Sequence, residues 1–321
     1  MAAVPIEVAF WDYDRTAPLV DGRAAISGFA PRYRLLRPQD TFVRAFRSAE
    51  FDICELSLSR HAQSVARGDS RYVGLPVFLS RCFRHAAIYV RAGISAPEAL
   101  KGKRIGLGNY DDTAAVVARA ILREVYGVDA RDVRWVVGDV EAPFRTDIPL
   151  QQPAGFDVSL ATDRALDDML VAGDLDALIA LTPPPSFRLG DPGVRRLFPN
   201  WRAAEESWFK QQRVFPIMHL VGVRDDLVQR RPDVIQAAYD AFSRGAEIAR
   251  ENLAILQASK TMLPWLVDEY ERTRAVMGDD FWPYGVTDNR HVLDWTLRNL
   301  EQDGLLARPI SVEDLFAPGF A

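Results

Sequence analysis

Cysteine is almost missing from this 321-residue chain. Only Cys54 and Cys82 occur, which excludes a disulfide framework and leaves two free thiols acting as small buried hydrophobes, as in a reducing cytosol. No HxH, HExxH or CxxC spacing is present, so no zinc or other metal signature can be read. Positive charge is not in excess: 39 Lys and Arg stand against 44 Asp and Glu, a net charge of −5. That balance argues against nucleic acid as the main partner, although a local basic pocket remains compatible with it. No run approaches the roughly 20 apolar residues of a membrane helix. The opening MAAVPIEVAFWDYD has no basic n-region, long apolar core or small-residue cleavage site, and starts a strand almost at once; the expected location is the cytoplasm, with no membrane partner. Internal repeats and low-complexity stretches are also lacking.

What is present is a globular composition, 48% hydrophobic and 26% charged, patterned as alternating strands and helices. Short runs rich in Val, Ile and Leu predict strands at 6–11, 33–37, 51–58, 72–78, 86–91, 103–108, 133–138, 175–181 and 217–223. Amphipathic spacing predicts helices at 41–49, 112–127 and 163–173, the last two closed by Gly127 and Gly173. This alternation implies an α/β fold with mostly parallel sheets. Beyond residue 224 the pattern is almost purely helical, with Asp288 or Asn289 expected to cap the final long helix.

Several short stretches carry chemistry. SRCFRHAAIYVR (80–91) places Arg81, Arg84 and His85 just ahead of an apolar run. A guanidinium fork matches a carboxylate bidentately, so the arginines suit an anionic ligand. WDYDRT follows the first strand, and loops at the carboxyl ends of strands line the crevice of open α/β sheets, which nominates Asp14, Arg15 and Thr16. ELSLS (55–59) ends another strand, and alternation would point Glu55, Ser57 and Ser59 the same way. GLGNYDDTAAV (106–116) runs from a strand into a helix, whose unpaired N–H groups could serve an anion beside Asn109, Tyr110 and Thr113; the third glycine of a dinucleotide fingerprint is absent. DDFWPYG (279–285) offers Trp282 as a stacking surface for an aromatic ring. Of the four histidines, His85 and His219 each precede an apolar strand ending in Val-Arg; His61 is assigned to a surface helix and His291 to packing.

The strings WDYDRTAPLVDG, TFVRAFRSAEFDICELSLS, YVGLPVFLSRCFRHAAIYVR, LKGKRIGLGNYDDTAAV, FPIMHLVGVRDDL and MGDDFWPYGVTDNRH resemble the 4,5-dihydroxyphthalate decarboxylase family, from Phe10 to Phe316. Residues 141–162 match poorly and read as a variable loop. The resemblance implies a two-lobed, type II periplasmic-binding-protein-like fold with a hinge and an interlobe cleft. Lobe one would hold 1–91 plus 218–321 and lobe two 92–217, with His85 and His219 at the hinge. It further implies a cofactor-independent decarboxylation of a hydroxylated aromatic carboxylate, 4,5-dihydroxyphthalate giving protocatechuate, as part of phthalate degradation. His85 or His219 would protonate the ipso carbon, and the other histidine or Glu55 would engage the catechol oxygen. Asp14, Arg15, Thr16, Ser57, Arg81, Arg84, Asn109, Tyr110, Thr113 and Trp282 would hold the substrate. A divalent ion on His85, His219 and Glu55 is a minor alternative to the metal-free expectation. The rival role on the same fold is a non-catalytic solute-binding protein feeding a transporter. Exposed faces of the C-terminal helices could pair subunits as a homo-oligomer.

Overall fold

A computed structural model describes residues 3–144 and 152–320. Residues 145–151 of the expected variable loop lie outside the described residues. Among the described residues the strands are β1 (Val4–Phe10), β2 (Phe29–Leu35), β3 (Ile53–Ser57), β4 (Tyr72–Arg81), β5 (Ile88–Arg91), β6 (Arg104–Leu107), β7 (Arg134–Val137), β8 (Asp157–Leu160), β9 (Ala177–Ile179), β10 (Val194–Arg196) and β11 (Ile217–Arg224).

The chain divides into two units. The first comprises Met1–Arg81, Ile217–Asp294 and Arg308–Ala321; the second comprises Cys82–Pro216 and Trp295–Ala307. Residues 82–91, read from the sequence as part of lobe one, fall in the second unit because β5 pairs with β9 and β10 there.

In the first unit one sheet runs in the order β2-β1-β3-β11-β4. β1 is parallel to β2 and β3, while β11 is antiparallel to both β3 and β4. The helix Asp233–Leu253 lays Val234, Ile235, Ala238 and Phe242 onto a core formed with Val8, Phe10, Ile53 and Val221, each large side chain contributing roughly 1.5–3 kcal/mol by leaving water. Gly245 lets this helix approach closely, since a Cβ there would stand 2.6 Å from the Arg15 carbonyl oxygen. The turn after β1 is thereby pressed into place.

In the second unit the sheet order is β10-β5-β9-β6-β7-β8. β6 is parallel to β7 and β9, and β7 to β8, whereas β5 is antiparallel to β9 and β10. The helix Thr113–Tyr126 is closed by Gly127 in the left-handed region, φ 64°, as its sequence predicts.

Several expectations are corrected. Both sheets are mixed rather than mostly parallel, because an apolar run declares a strand and not its direction. The first residues of the 86–91 run form a 3₁₀ turn, His85–Ala87, before β5 begins. His61 is not on a surface face: it is 1% exposed and its Nε2 lies 2.9 Å from the Leu315 carbonyl oxygen. Ser59 does not follow Glu55 and Ser57 along a strand, since β3 stops at Ser57 and Ser59 belongs to the helix Leu58–Arg67. Asn289 ends a 3₁₀ turn before the helix Arg290–Gln302, and its amide donates to the carbonyls of Pro283 and Gly285. No helix among the described residues is long and apolar enough to cross a membrane.

Candidate active site

In the first unit the chemistry gathers on Glu55. All five residues of β3 are buried, and Glu55 is 0% exposed. An ionised carboxylate in such a position needs donors on its oxygens. Three supply them. Tyr13 donates its hydroxyl to Oε1 at 2.7 Å, the Trp11 backbone N–H reaches Oε2 at 3.1 Å, and His219 Nδ1 lies 2.6 Å from Oε1. Burial pushes the Glu55 carboxyl up, but the bonds and charge of His219, with Tyr13 and the Trp11 amide, outweigh it and hold the group below the usual glutamate range. The Tyr13 phenol is pushed up by burial and by the neighbouring Glu55 charge, so it stays a donor.

β11 presents His219 to this carboxylate. Its register sets His219 opposite Ser57 and Val221 opposite Glu55 on β3. Against β4 the pairing is irregular on both sides of His219, the kind of bulge that re-aims a side chain. Within β11 only His219 and Arg224 are not fully buried. The carboxylate can only accept, so Nδ1 carries the proton and Nε2 is left for chemistry. Phe42 packs edge-on against the imidazole, ring centroids 4.9 Å apart. A buried carboxylate holding a half-buried imidazole is an arrangement that orients a proton donor and stabilises its charged form.

The turn after β1 has two further roles. Thr16 is fully buried; its hydroxyl accepts from the Tyr13 amide at 3.0 Å and faces the carbonyls of Trp11 and Tyr13, so it serves the turn. Arg15 lies over the Tyr13 ring at 4.0 Å and the Trp282 ring at 4.6 Å, donating to the Leu79 carbonyl and pairing with Asp14 at 2.9 Å. Trp282 is anchored by its indole N–H to the Phe78 carbonyl at 2.8 Å. Asp14, Arg15 and Trp282 thus come together, and with Ala249, Arg250 and Phe281 they line a pocket of about 160 Å³. Ser57 is 3% exposed at the end of β3.

Arg81 is directed into the protein. Its guanidinium donates to the Pro283 carbonyl at 2.8 Å and to Asn289 Oδ1, and burial pushes it down to about 9. It clamps the turn carrying Trp282. Arg81→Met is therefore expected to cost about 2–4 kcal/mol of stability by stranding buried acceptors, read as an earlier midpoint in urea unfolding.

In the second unit Arg84 precedes the His85–Ala87 turn, which packs on the helices Thr113–Tyr126 and Trp201–Gln212. Arg84 Nε is buried and has no hydrogen-bond partner. His85 is 1% exposed, boxed by Phe198 and Trp208 at centroid distances of 5.2 and 5.8 Å. Glu205 Oε1 stands 3.9 Å from His85 Nδ1. Burial pushes His85 down to about 4 and Glu205 up to about 7, so at pH 6 both are neutral and the contact is no ion pair. Asn109 donates to Asp112 at 3.1 Å, and Thr113, 3% exposed, opens the helix. Tyr110 is 1% exposed, packed under Arg119 at 4.0 Å and beside Trp135; it is a core residue of this unit.

Sequence reasoning passed over Tyr13 and Glu205. Nothing distinguishes Tyr13 within WDYDRT. Glu205 did leave a signal: it lies three and four residues before Trp208 and Phe209, on the buried face of an amphipathic helix. Among the described residues no group of three His, Cys, Asp or Glu is placed to hold a metal ion.

No family model matches the chain. A 4,5-dihydroxyphthalate decarboxylase from Comamonas testosteroni is 40% identical over 99% of this chain and 98% of its own length. The chain belongs to the 4,5-dihydroxyphthalate decarboxylase family. Another protein of that name, from Pseudomonas putida, is 42% identical over 65% of this chain and 83% of its own. Among solved structures, the periplasmic aliphatic sulphonate binding protein SsuA from Escherichia coli aligns with a TM-score of 0.53 at 14% identity, covering 100% of this chain and 99% of that one. At that identity the likeness concerns the fold alone, which in this chain is of the periplasmic-binding-protein type.

Proposed function

We propose that the chain decarboxylates 4,5-dihydroxyphthalate to protocatechuate, with His219 as proton donor. The observation that carries this reading is the Glu55–His219 pair, in a family named for the reaction. Direct loss of CO₂ from a benzoate would leave an unstabilised aryl anion. A hydroxyl para to the carboxylate opens another route. Its oxygen pushes electrons to the ipso carbon, which takes a proton from the His219 imidazolium at Nε2. The bond to the carboxylate then breaks, its electron pair restores the aromatic ring, and CO₂ departs. The phenolic proton is recovered on the oxygen, so the balance is one proton consumed and one CO₂ released.

Glu55 holds the imidazole by Nδ1 and offsets the charge it carries before transfer. The steps use the chain's own side chains and call for no cofactor. His85, boxed and kept neutral, is suited to packing rather than to proton donation.

Purified protein mixed with 4,5-dihydroxyphthalate should release CO₂ and protocatechuate, followed by chromatography. Binding without product would overturn the enzymatic reading in favour of a solute-binding role. Unchanged turnover in chelator is the expected result; its loss would point to a metal.

A further inference from the structure

Glu205 and Arg84 lie in each other's field, and the reaction scheme above uses neither. Arg84 lies in the second unit immediately before the His85–Ala87 turn, its Nε buried and without a hydrogen-bond partner. No hydrogen bond or ion pair to a described residue engages its guanidinium, in contrast to Arg81. Arg84 is half-buried, and its Nε, cut off from water without a partner, is a desolvated donor that an oxyanion would relieve. Burial pushes Arg84 down, and the acidic groups that face it are Glu205 and Asp112, with the Cys82 thiol beside them. Asp112 precedes the first turn of the helix Thr113–Tyr126.

Glu205 comes from the helix Trp201–Gln212 and is 8% exposed. The backbone amides of Ala86 and His85 face its carboxyl, as do the charges of Arg84 and Arg196. His85 Nδ1 is 3.9 Å away. One side chain therefore packs against the turn that carries Arg84 and also lies in the field of Arg84.

We propose that Arg84 is a carboxylate-binding residue and Glu205 its positioning residue, packed against the Arg84–His85 turn and competing with a bound carboxylate for the Arg84 charge. The ligand class is an aromatic dicarboxylate; the assignment rests on the phthalate reading of the substrate. Because burial pushes Glu205 up to about 7, the competition is switched by pH. Below 7 Glu205 is neutral and Arg84 keeps its full charge for the ligand. Above 7 Glu205 is a carboxylate, part of the Arg84 charge is compensated, and binding weakens.

The probe is phthalate, which keeps the two carboxylates, lacks the hydroxyls and does not change charge between pH 7 and 8.5. Calorimetric titration of the full chain at those two pH values is expected to give a Kd about 5-fold weaker at the higher pH. Glu205→Gln keeps a carbonyl acceptor for the turn and removes the ionisation; its Kd should be equal at both values and match the tighter one. Arg84→Met should bind about 10-fold or more weakly at both, and Arg84→Lys should recover part of the affinity together with the pH dependence. The proposal is overturned if Glu205→Gln retains the wild-type pH dependence, if Arg84→Met binds phthalate like the wild type, or if phthalate does not bind. Thermal melts of each variant separate these outcomes from misfolding. Turnover of 4,5-dihydroxyphthalate is measured separately. Its absence alongside the expected phthalate pattern would sink the decarboxylase reading and leave the Arg84–Glu205 assignment standing.

Discussion

His219→Ala is expected to lower the turnover number for 4,5-dihydroxyphthalate by about 10²–10⁴-fold, the range typical of a positioned proton donor. The physical reason lies in β11. In a strand that is otherwise closed to solvent except at Arg224, the irregular pairing with β4 turns one imidazole toward Glu55 and leaves its Nε2 available. Removing the ring takes away the proton at the ipso carbon and little else. The Phe42 contact is lost, but His219 is not a core residue, so the melting temperature should fall only slightly. A change confined to KM, with kcat intact, would remove His219 from the chemistry.

Glu55→Gln should have the next largest effect, about 10²–10³-fold in kcat, together with a loss of stability. The carboxylate receives Tyr13, the Trp11 amide and His219 in a fully buried position. The amide keeps the shape but supplies one acceptor atom where the carboxylate has two, and it no longer offsets an imidazolium. Changing a buried, hydrogen-bonded carboxylate so that its donors lose an acceptor costs about 1–3 kcal/mol. The pH dependence follows from the sign of the shift. The folded state holds Glu55 below the usual glutamate range, so its stabilisation is fully present above about 4.3, the unfolded value. It is lost as pH falls through the lower folded value. Urea unfolding of wild type and Glu55→Gln should therefore differ strongly at pH 7 and converge in acid. A difference independent of pH would mean that Glu55 acts by packing alone.

The two predictions rest on residues of different legibility. Glu55 stood out as a carboxylate inside the apolar run FDICELSL, and β3 buries it as that run implies. His219 was visible as a histidine heading an apolar strand. Their contact was not visible, because 164 residues separate them and only the antiparallel register of β11 on β3 brings them together. Strand direction is a long-range property that alternation does not encode. The same limit explains why the sheets were read as mostly parallel.

Arg81 and Arg84 show the point within four residues. Composition and spacing treat them alike as cations before an apolar run. In the fold Arg81 donates through Nη2 to Pro283 and Asn289, a kind of bond that Arg84 does not make to these acceptors. Tyr110, read as a ligand at a helix start, is instead covered by Arg119, because the pattern of an N-terminus says nothing about which of its side chains turn inward.

By itself the amino-acid order determined the α/β alternation, most helix ends, the absence of a metal or dinucleotide signature and, through its long motif strings, the family. Those properties are local, set by periodicity, by glycine at helix ends and by residue type over short spans. Only the tertiary structure decided which histidine meets Glu55, which arginine remains open and which carboxylate, Glu205, sits beside it. Each of those depends on burial and on contacts between segments far apart in the chain, where desolvation fixes what a charged side chain can do.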